Sequence, residues 1–150
     1  MLVPSGCSRG EGFAMGELSF VWLEVTGKCQ LRCAHCYAES RPSGTHGKMR
    51  TADWLRVIDQ AAGLGVTAVQ FIGGEPALHP DLVTLVAHAL DRDLQVEIFS
   101  NLVHARPVLW ELFSVPGVSL ATSYYSDVPT QHEEITGRRG SHAKTRANIV

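Results

Sequence analysis

The chain lacks the features of membrane proteins, disulfide-rich secreted proteins and duplex-binding proteins. Across its 150 residues no apolar stretch approaches the ~20 residues that a membrane-spanning helix requires, and its first residues lack the cationic and apolar regions of a signal peptide. Thirteen Lys and Arg stand against fifteen Asp and Glu, and the arginines form no stripe, a distribution that argues against a nucleic-acid partner. These absences predict a cytoplasmic globular protein with no membrane partner.

Cysteine is scarce, but it is clustered. Three of the four cysteines, Cys29, Cys33 and Cys36, lie within eight residues, whereas Cys7 stands apart. Three neighbouring thiols cannot pair off evenly, and in a reducing compartment such a cluster indicates metal binding or catalysis rather than a disulfide framework. Cys7 belongs to residues 1–18, whose Gly and Ser content and weak periodicity predict a disordered leader.

Short apolar runs alternate with amphipathic segments along the rest of the chain. The runs predict strands at residues 19–25, 68–72, 94–100 and 118–123. Helices are predicted to begin with Thr51 as N-cap, near Pro80 and Asp81, at Pro107 with an end near Phe113, and at Ala143. The alternation predicts an α/β fold with a parallel sheet that helices cover on at least one face.

Four parallel strands form only part of a barrel. A sheet that stops mid-helix leaves the edge of its last strand unpaired. Residues 19–150 are therefore predicted to be an incomplete core domain, truncated after about four βα units, either because the natural protein continues or because this chain is a truncated product.

The cysteine spacing C-x3-C-x2-C suits an iron-sulfur cluster. Thiolates favour iron, and three local cysteines on a 4Fe-4S cluster leave one iron open for another ligand. The alternative is a structural zinc held by the same three cysteines, with His35 or His46 as the fourth ligand. Covalent haem attachment is excluded because Tyr37, and not histidine, follows Cys36.

The cysteine motif after the first strand, with Gly73-Gly74-Glu75-Pro76 after the second, resembles the radical S-adenosylmethionine (radical SAM) superfamily. The resemblance implies a partial (β/α)6 TIM-like barrel. It also implies a 4Fe-4S cluster on Cys29, Cys33 and Cys36, whose open iron is chelated by S-adenosylmethionine. An electron passed through the cluster would then generate a 5′-deoxyadenosyl radical for hydrogen abstraction from a substrate.

The same resemblance implies roles for five further residues. Gly73 and Gly74 allow close approach of the backbone to the cofactor, and Glu75 accepts a hydrogen bond from the methionine ammonium. His35 precedes the last cysteine, at a position near the adenine, and Ser123 matches a polar residue that contacts the ribose. Without the cysteine loop beside it, the Gly73-Gly74 stretch would also fit a simple strand-ending turn.

A later segment is similar to the peptide-maturing SPASM and twitch branches of the superfamily. The sequence keeps His132, Thr136 and Gly137 of their H-D-x-x-T-G pattern, together with the following Gly140 and Ser141. Glu133 replaces the aspartate of this pattern. Two other patterns of these branches are also altered: Tyr125 and Ser126 replace the aspartate and glycine of S-x-D-G, and Leu102 replaces the glycine after Asn101 in T-N-G.

The leading hypothesis is a radical SAM enzyme that modifies a ribosomally made peptide. The alternatives are a radical SAM enzyme of cofactor biosynthesis or enzyme activation, which would act on a small molecule or another protein, and a non-catalytic metal-binding fragment. Either enzyme would need an electron donor such as a flavodoxin or a ferredoxin.

Overall fold

Strands and helices alternate throughout residues 18–149, the part of the chain that the computed structural model describes. The strands are β1 (Phe20–Thr26), β2 (Ala68–Gly73), β3 (Gln95–Phe99) and β4 (Val118–Ala121). The helices are α1 (Thr51–Gly63), α2 (Leu82–Leu90), α3 (Pro107–Phe113), α4 (Pro129–Thr136) and α5 (Ser141–Ile149). Each strand pairs in parallel with the next strand along the chain, giving the sheet order β1-β2-β3-β4.

One face of the sheet carries the hydrophobic core. Alternate strand residues point to this face, because successive side chains of a strand point to opposite sides. They pack with the apolar stripes of α1 and α2 into one buried cluster, whose largest members include Val25, Phe71, Ile98, Ile58, Leu82 and Leu85. Burial of such side chains contributes roughly 1.5 to 3 kcal/mol each, so this face supplies most of the stability.

The opposite face of the sheet carries both polar and apolar side chains and is partly open. Trp22 of β1 is 65% exposed, and its neighbour in the register is Gln70, whose side chain donates a hydrogen bond to Glu97 of β3. Ile72 and Phe99 lie further along this face, near the carboxyl ends of β2 and β3, where they help to line a cavity.

The predicted boundaries of the first helix and the last strand are wrong. Thr51 is the first residue of α1 and not its N-cap. Arg50 takes that position, with its N–H donating to Asp53 at 2.9 Å, while the Thr51 hydroxyl donates to Asp81 at 2.8 Å. β4 ends at Ala121, which accepts a hydrogen bond from the Ser100 N–H at 3.0 Å, so residues 122 and 123 leave the strand earlier than expected.

Two elements were not predicted from periodicity. α4 has no apolar stripe, although Pro129 in its first turn and Gly137 just after its end are ordinary helix boundary residues. A three-residue 3-10 turn, Pro76–Leu78, follows β2. α5 begins two residues earlier than the predicted Ala143.

Residues 1–17 and Val150 lie outside the described residues, so the predicted leader, with Cys7 in it, stays a prediction. Within residues 18–149, no helix has the length and apolar character needed to cross a membrane.

Candidate active site

The carboxyl ends of the four strands surround a cavity of about 290 Å³. Functional groups of parallel βα folds gather at this edge of the sheet, because loops and helix N-termini meet there. Seven of the eight predicted site residues line the cavity: Cys29, Cys33, Cys36, His35, Gly73, Gly74 and Ser123. The structure therefore brings the cysteine loop and the glycine pair into one site.

The cysteine loop is fixed to its surroundings by backbone hydrogen bonds. The Cys29 N–H donates to the Arg41 carbonyl at 3.0 Å, and the Arg32 N–H donates to the Thr136 carbonyl at the end of α4, also at 3.0 Å. Cys29 is buried, whereas Cys33 and Cys36 are half-buried. The loop is thus closed on itself at Arg41 and tied to the end of α4.

Cys29 and Cys33 hold their thiol protons more tightly than a free cysteine does when no metal is bound. Burial raises the pKa of Cys29 to about 11, although a hydrogen bond from the Leu31 N–H opposes the shift. Burial also raises the pKa of Cys33, and the neighbouring Cys36 adds to the effect. Iron binding would displace these protons, because the thiolate is the metal ligand.

Among residues 18–149, no three His, Cys, Asp or Glu side chains meet around a point suited to a single metal ion. An iron-sulfur cluster has no such requirement, since each thiolate binds a different iron. Asn101 adds a further contact to this wall, because its Nδ2 donates to the Cys29 sulfur at 3.6 Å.

The glycine pair joins the ends of β1 and β2. The Gly74 N–H donates to the Thr26 carbonyl at 2.6 Å, and the next N–H, of Glu75, donates to the Lys28 carbonyl at 2.9 Å. A Cβ at Gly73 would collide with the Thr26 carbonyl, and one at Gly74 with the Lys28 carbonyl; Gly73 also has a φ of +124°. The close contact between the two strand ends therefore requires glycine at both positions.

Glu75 lies behind the cavity wall. Its carboxylate is fully buried and accepts hydrogen bonds from the Ser100 hydroxyl at 2.8 Å, the Ala77 N–H at 3.0 Å and the Asn101 N–H at 2.8 Å. Burial raises the pKa of Glu75 to about 7, and these three donors only partly offset it. The structure shows Glu75 joining the ends of β2 and β3, and the predicted contact with the methionine ammonium stays a prediction.

Aromatic rings line the side of the cavity next to β4. Tyr125 stands edge-to-face against His35, with ring centroids 5.0 Å apart, and lies 5.7 Å from the ring of His132. Ser123 is half-buried and sits two residues beyond the end of β4. His35 itself is exposed at the cavity rim.

Several cavity residues were not predicted as site residues: Ser40, Asn101, His132, Thr136 and Thr145. Ser40 Oγ and His132 Nδ1 are buried and have no hydrogen-bond partner within the described chain. Asn101 was visible in the sequence only as the neighbour of Leu102. Leu102 is buried with a φ of +55°, the left-handed backbone for which the related pattern uses glycine.

The chain belongs to the radical SAM superfamily, whose family model matches residues 23–149. Curated relatives include the PqqA peptide cyclase of Granulibacter bethesdensis, which is 31% identical over 122 residues, covering 81% of this chain and 33% of the relative. The PqqA peptide cyclase of Xanthomonas campestris pv. campestris is 34% identical over 128 residues, covering 85% and 34%. The chain spans about a third of the length of these relatives.

The fold resembles that of Streptococcus suis SuiB. The crystal structure of SuiB bound to the precursor peptide SuiA superimposes with a TM-score of 0.74 at 20% identity, covering 85% of this chain and 29% of SuiB. The predicted family and the predicted partial-barrel α/β fold are confirmed.

The residues present fit the cofactors that the family implies, a 4Fe-4S cluster and S-adenosylmethionine. Three thiols of the kind that ligate iron share one cavity wall. Two residues that line the cavity, Ser40 and His132, each have a buried polar atom without a partner among residues 18–149.

Proposed function

We propose that the chain carries the cluster-binding and S-adenosylmethionine-binding part of a radical enzyme that modifies a ribosomally made peptide. The observation that carries the proposal is the meeting of the three cysteines with the glycine pair in one cavity at the carboxyl edge of the sheet. Similarity to enzymes named PqqA peptide cyclase, and to SuiB, which has been crystallised with a precursor peptide, supports a peptide substrate.

In this proposal, each wall of the cavity has its own role. Cys29, Cys33 and Cys36 hold the cluster. The backbone of Gly73 and Gly74, which lines the cavity, lies against the methionine half of the cofactor. When bound, the cluster and S-adenosylmethionine supply a 5′-deoxyadenosyl radical that abstracts a hydrogen atom from the substrate.

The remaining predicted site residues take supporting roles in the proposal. His35 lies at the rim of the cavity near the adenine, and Ser123 offers its hydroxyl to the ribose. Glu75 holds the ends of β2 and β3 in place, and contact with the methionine ammonium would require its carboxylate to turn toward the cavity. A flavodoxin or ferredoxin would deliver the electron, and we propose a cytoplasmic location.

Anaerobic reconstitution tests the cofactor part of the proposal. We expect four irons and four sulfides per chain. The electron paramagnetic resonance spectrum of the reduced cluster should change when S-adenosylmethionine is added. Alanine variants of the three cysteines should lose the cluster. One zinc per chain, with no cysteine-dependent iron, would refute the proposal in favour of a structural zinc site.

Turnover assays test the reaction. The reduced holoprotein should form 5′-deoxyadenosine, and a short peptide encoded beside the gene should acquire a mass change in its presence. Cleavage of S-adenosylmethionine that no peptide stimulates would favour cofactor biosynthesis or enzyme activation. A stable cluster without any cleavage would favour a non-catalytic metal-binding role.

A further inference from the structure

Asn101 follows β3 at the carboxyl edge of the sheet, and its backbone is held on two sides. Its N–H donates to the Glu75 carboxylate at 2.8 Å, and its carbonyl accepts a hydrogen bond from the Thr145 hydroxyl of α5 at 2.9 Å. The residue is half-buried and lines the cavity. Contacts to the loop after β2 and to α5 therefore fix the point from which its side chain extends.

The side-chain amide of Asn101 has one orientation that satisfies its neighbours. Its Oδ1 accepts hydrogen bonds from Nε2 of Gln30 at 2.9 Å and from the Val103 N–H at 3.0 Å. Because a backbone N–H can only donate, the atom that Val103 meets is the amide oxygen and not the nitrogen. The amide nitrogen, Nδ2, consequently points away from Val103, and it donates to the Cys29 sulfur at 3.6 Å.

The Cys29 sulfur has two N–H donors that differ in origin. The Leu31 N–H donates to it at 3.4 Å from within the cysteine loop, whereas Asn101 donates from the end of β3. Cys29 itself is 7% exposed, so water has little access to replace a donor that is lost. The Asn101 contact is therefore the one that a side-chain substitution can remove without solvent compensating for it.

Hydrogen bonds to the sulfurs of an iron-sulfur cluster influence its reduction potential. One-electron reduction makes the cluster and its thiolates more negative, so an N–H group directed at a sulfur stabilises the reduced form more than the oxidised form. Burial strengthens this effect, because electrostatic interactions are stronger away from water. An N–H donor to Cys29 should accordingly favour reduction.

We propose that Asn101 raises the reduction potential of the cluster by donating a hydrogen bond from Nδ2 to the Cys29 sulfur. This inference rests on the proposed function, since it takes a 4Fe-4S cluster as the group that the three cysteines hold. Asn101 acts through Cys29, so it is a positioning residue and not a catalytic one. In the reduction, one electron passes from the donor protein to the cluster; Asn101 keeps its proton, and no covalent bond forms or breaks.

Two substitutions at Asn101 separate the hydrogen bond from charge and from packing. Asn101→Leu removes the donor with little change in size and no change in charge. Asn101→Asp also removes the donor but keeps an oxygen for Gln30 and Val103. Asn148→Leu is the matched control, because it removes a half-buried amide that donates to the neighbouring Leu102 carbonyl from outside the cavity. Circular dichroism and iron content establish that each reconstituted variant folds and holds its cluster.

The midpoint potential of each protein is measured by anaerobic titration with dithionite, followed by electron paramagnetic resonance, in the absence of S-adenosylmethionine. We expect Asn101→Leu to lower the equilibrium constant for one-electron reduction about tenfold, which is a fall of about 59 mV. Asn101→Asp should lower the potential further, because a carboxylate beside the sulfur repels added negative charge. Asn148→Leu should keep the potential of the unmodified protein.

Isotope labelling tests the contact itself. The chain has two asparagines, Asn101 and Asn148, so Asn148→Leu leaves Asn101 as the only one. This variant is produced with asparagine that carries nitrogen-15 in its side-chain amide. Pulsed electron paramagnetic resonance of its reduced cluster should then show a nitrogen-15 coupling, which must come from Nδ2 of Asn101. The protein produced with ordinary asparagine should lack it.

Equal potentials of Asn101→Leu and the unmodified protein, or the absence of the nitrogen-15 coupling, would overturn the inference and leave the proposed function intact. A fall in Asn101→Asp alone would also overturn it, because the introduced charge would be the cause. Equal falls in Asn101→Leu and Asn148→Leu would do the same, because a loosened segment would then explain both. If the unmodified protein held no four-iron cluster, the proposed function would fail, and this inference with it.

Discussion

The two sides of the cavity are built differently. On the β1–β3 side, the carboxylate of Glu75 takes three donors, and Asn101 bonds to Gln30, Val103, Glu75 and Cys29. On the β4–α4 side, rings pack around His132, whose Nδ1 has no partner within the described chain. Apart from its thiols and the Ser40 hydroxyl, the polar groups of the first side pair with one another, whereas the ring at the centre of the second side has an unpaired nitrogen.

The three cysteines lie on the β1–β3 side, and substitution of any one of them should change the protein more than any other single substitution. Cys33→Ala should abolish the 4Fe-4S cluster, because each thiolate holds a separate iron. The measurement is iron and sulfide content after anaerobic reconstitution. Cys7→Ala, which removes the thiol outside the motif, should leave both contents unchanged. A full cluster in the Cys33 variant would exclude this residue as a ligand.

The next largest effect concerns the contact between the strand ends on the same side. Gly74→Ala should destabilise the metal-free protein by about 3 kcal/mol or more, because the new methyl group meets the Lys28 carbonyl. Gly63→Ala is the matched control, since a Cβ there meets nothing within 4 Å and alanine favours the helix. Chemical denaturation measures both. Equal stability of the two variants would contradict the close contact between β1 and β2.

Glu75, on the β1–β3 side, should make the free energy of unfolding of the protein depend on pH. Its pKa is about 7 in the folded protein against an ordinary value of 4.5, so the folded state binds the proton more tightly. Its contribution therefore falls as pH rises from about 4.5 to about 7, by roughly 3 kcal/mol, and is constant above that range. The direction follows because, as pH rises, Glu75 loses its proton at a lower pH in the unfolded chain than in the folded protein.

Glu75→Gln should remove that pH dependence. The unfolding free energies of the metal-free protein and the variant, measured at pH 5 and pH 8, should differ more at pH 5 than at pH 8. The variant should also lose about 1 to 3 kcal/mol at pH 5, because its amide N–H2 cannot accept the Asn101 N–H. Glu111→Gln, at an exposed position, is the control. A pH-independent difference between protein and variant would contradict the raised pKa.

The sequence predicts the β1–β3 side well because its signals are local. β2 is placed within one residue, because its apolar run is bounded by glycines at 65 and 73. The cysteine loop and the glycine pair follow adjacent parallel strands, and the carboxyl ends of such strands share one edge of a sheet. Their meeting could therefore be predicted before the structure, although the burial of Glu75 behind the wall could not.

The β4–α4 side could not be predicted in the same way, because the position of α4 and the environment of His132 depend on tertiary contacts. α4 carries no apolar stripe that periodicity can detect. Whether His132 has a partner depends on Tyr124 and His142, which satisfy each other instead. The sequence shows that the histidine is present, and only the arrangement of the surrounding rings shows that its Nδ1 is unused.

The smallest effect is expected at Ser40, which is also on the β1–β3 side. Its Oγ is buried and has no partner within residues 18–149, and the residue lines the cavity together with Cys33 and Cys36. A hydroxyl there would donate to a sulfur of the bound cluster. Since such a bond is stronger to the more negative reduced cluster, it raises the reduction potential.

Ser40→Ala should therefore lower the midpoint potential of the reconstituted cluster by about 20 to 60 mV. This corresponds to a difference of roughly 0.5 to 1.5 kcal/mol between the two oxidation states for a one-electron couple. Potentiometric titration followed by electron paramagnetic resonance measures it, with Ser114→Ala, an exposed serine outside the cavity, as control. An unchanged potential would show that the Ser40 hydroxyl does not bond to the cluster. The thiols would then be the only groups of the β1–β3 side, among residues 18–149, that this test connects to the cluster.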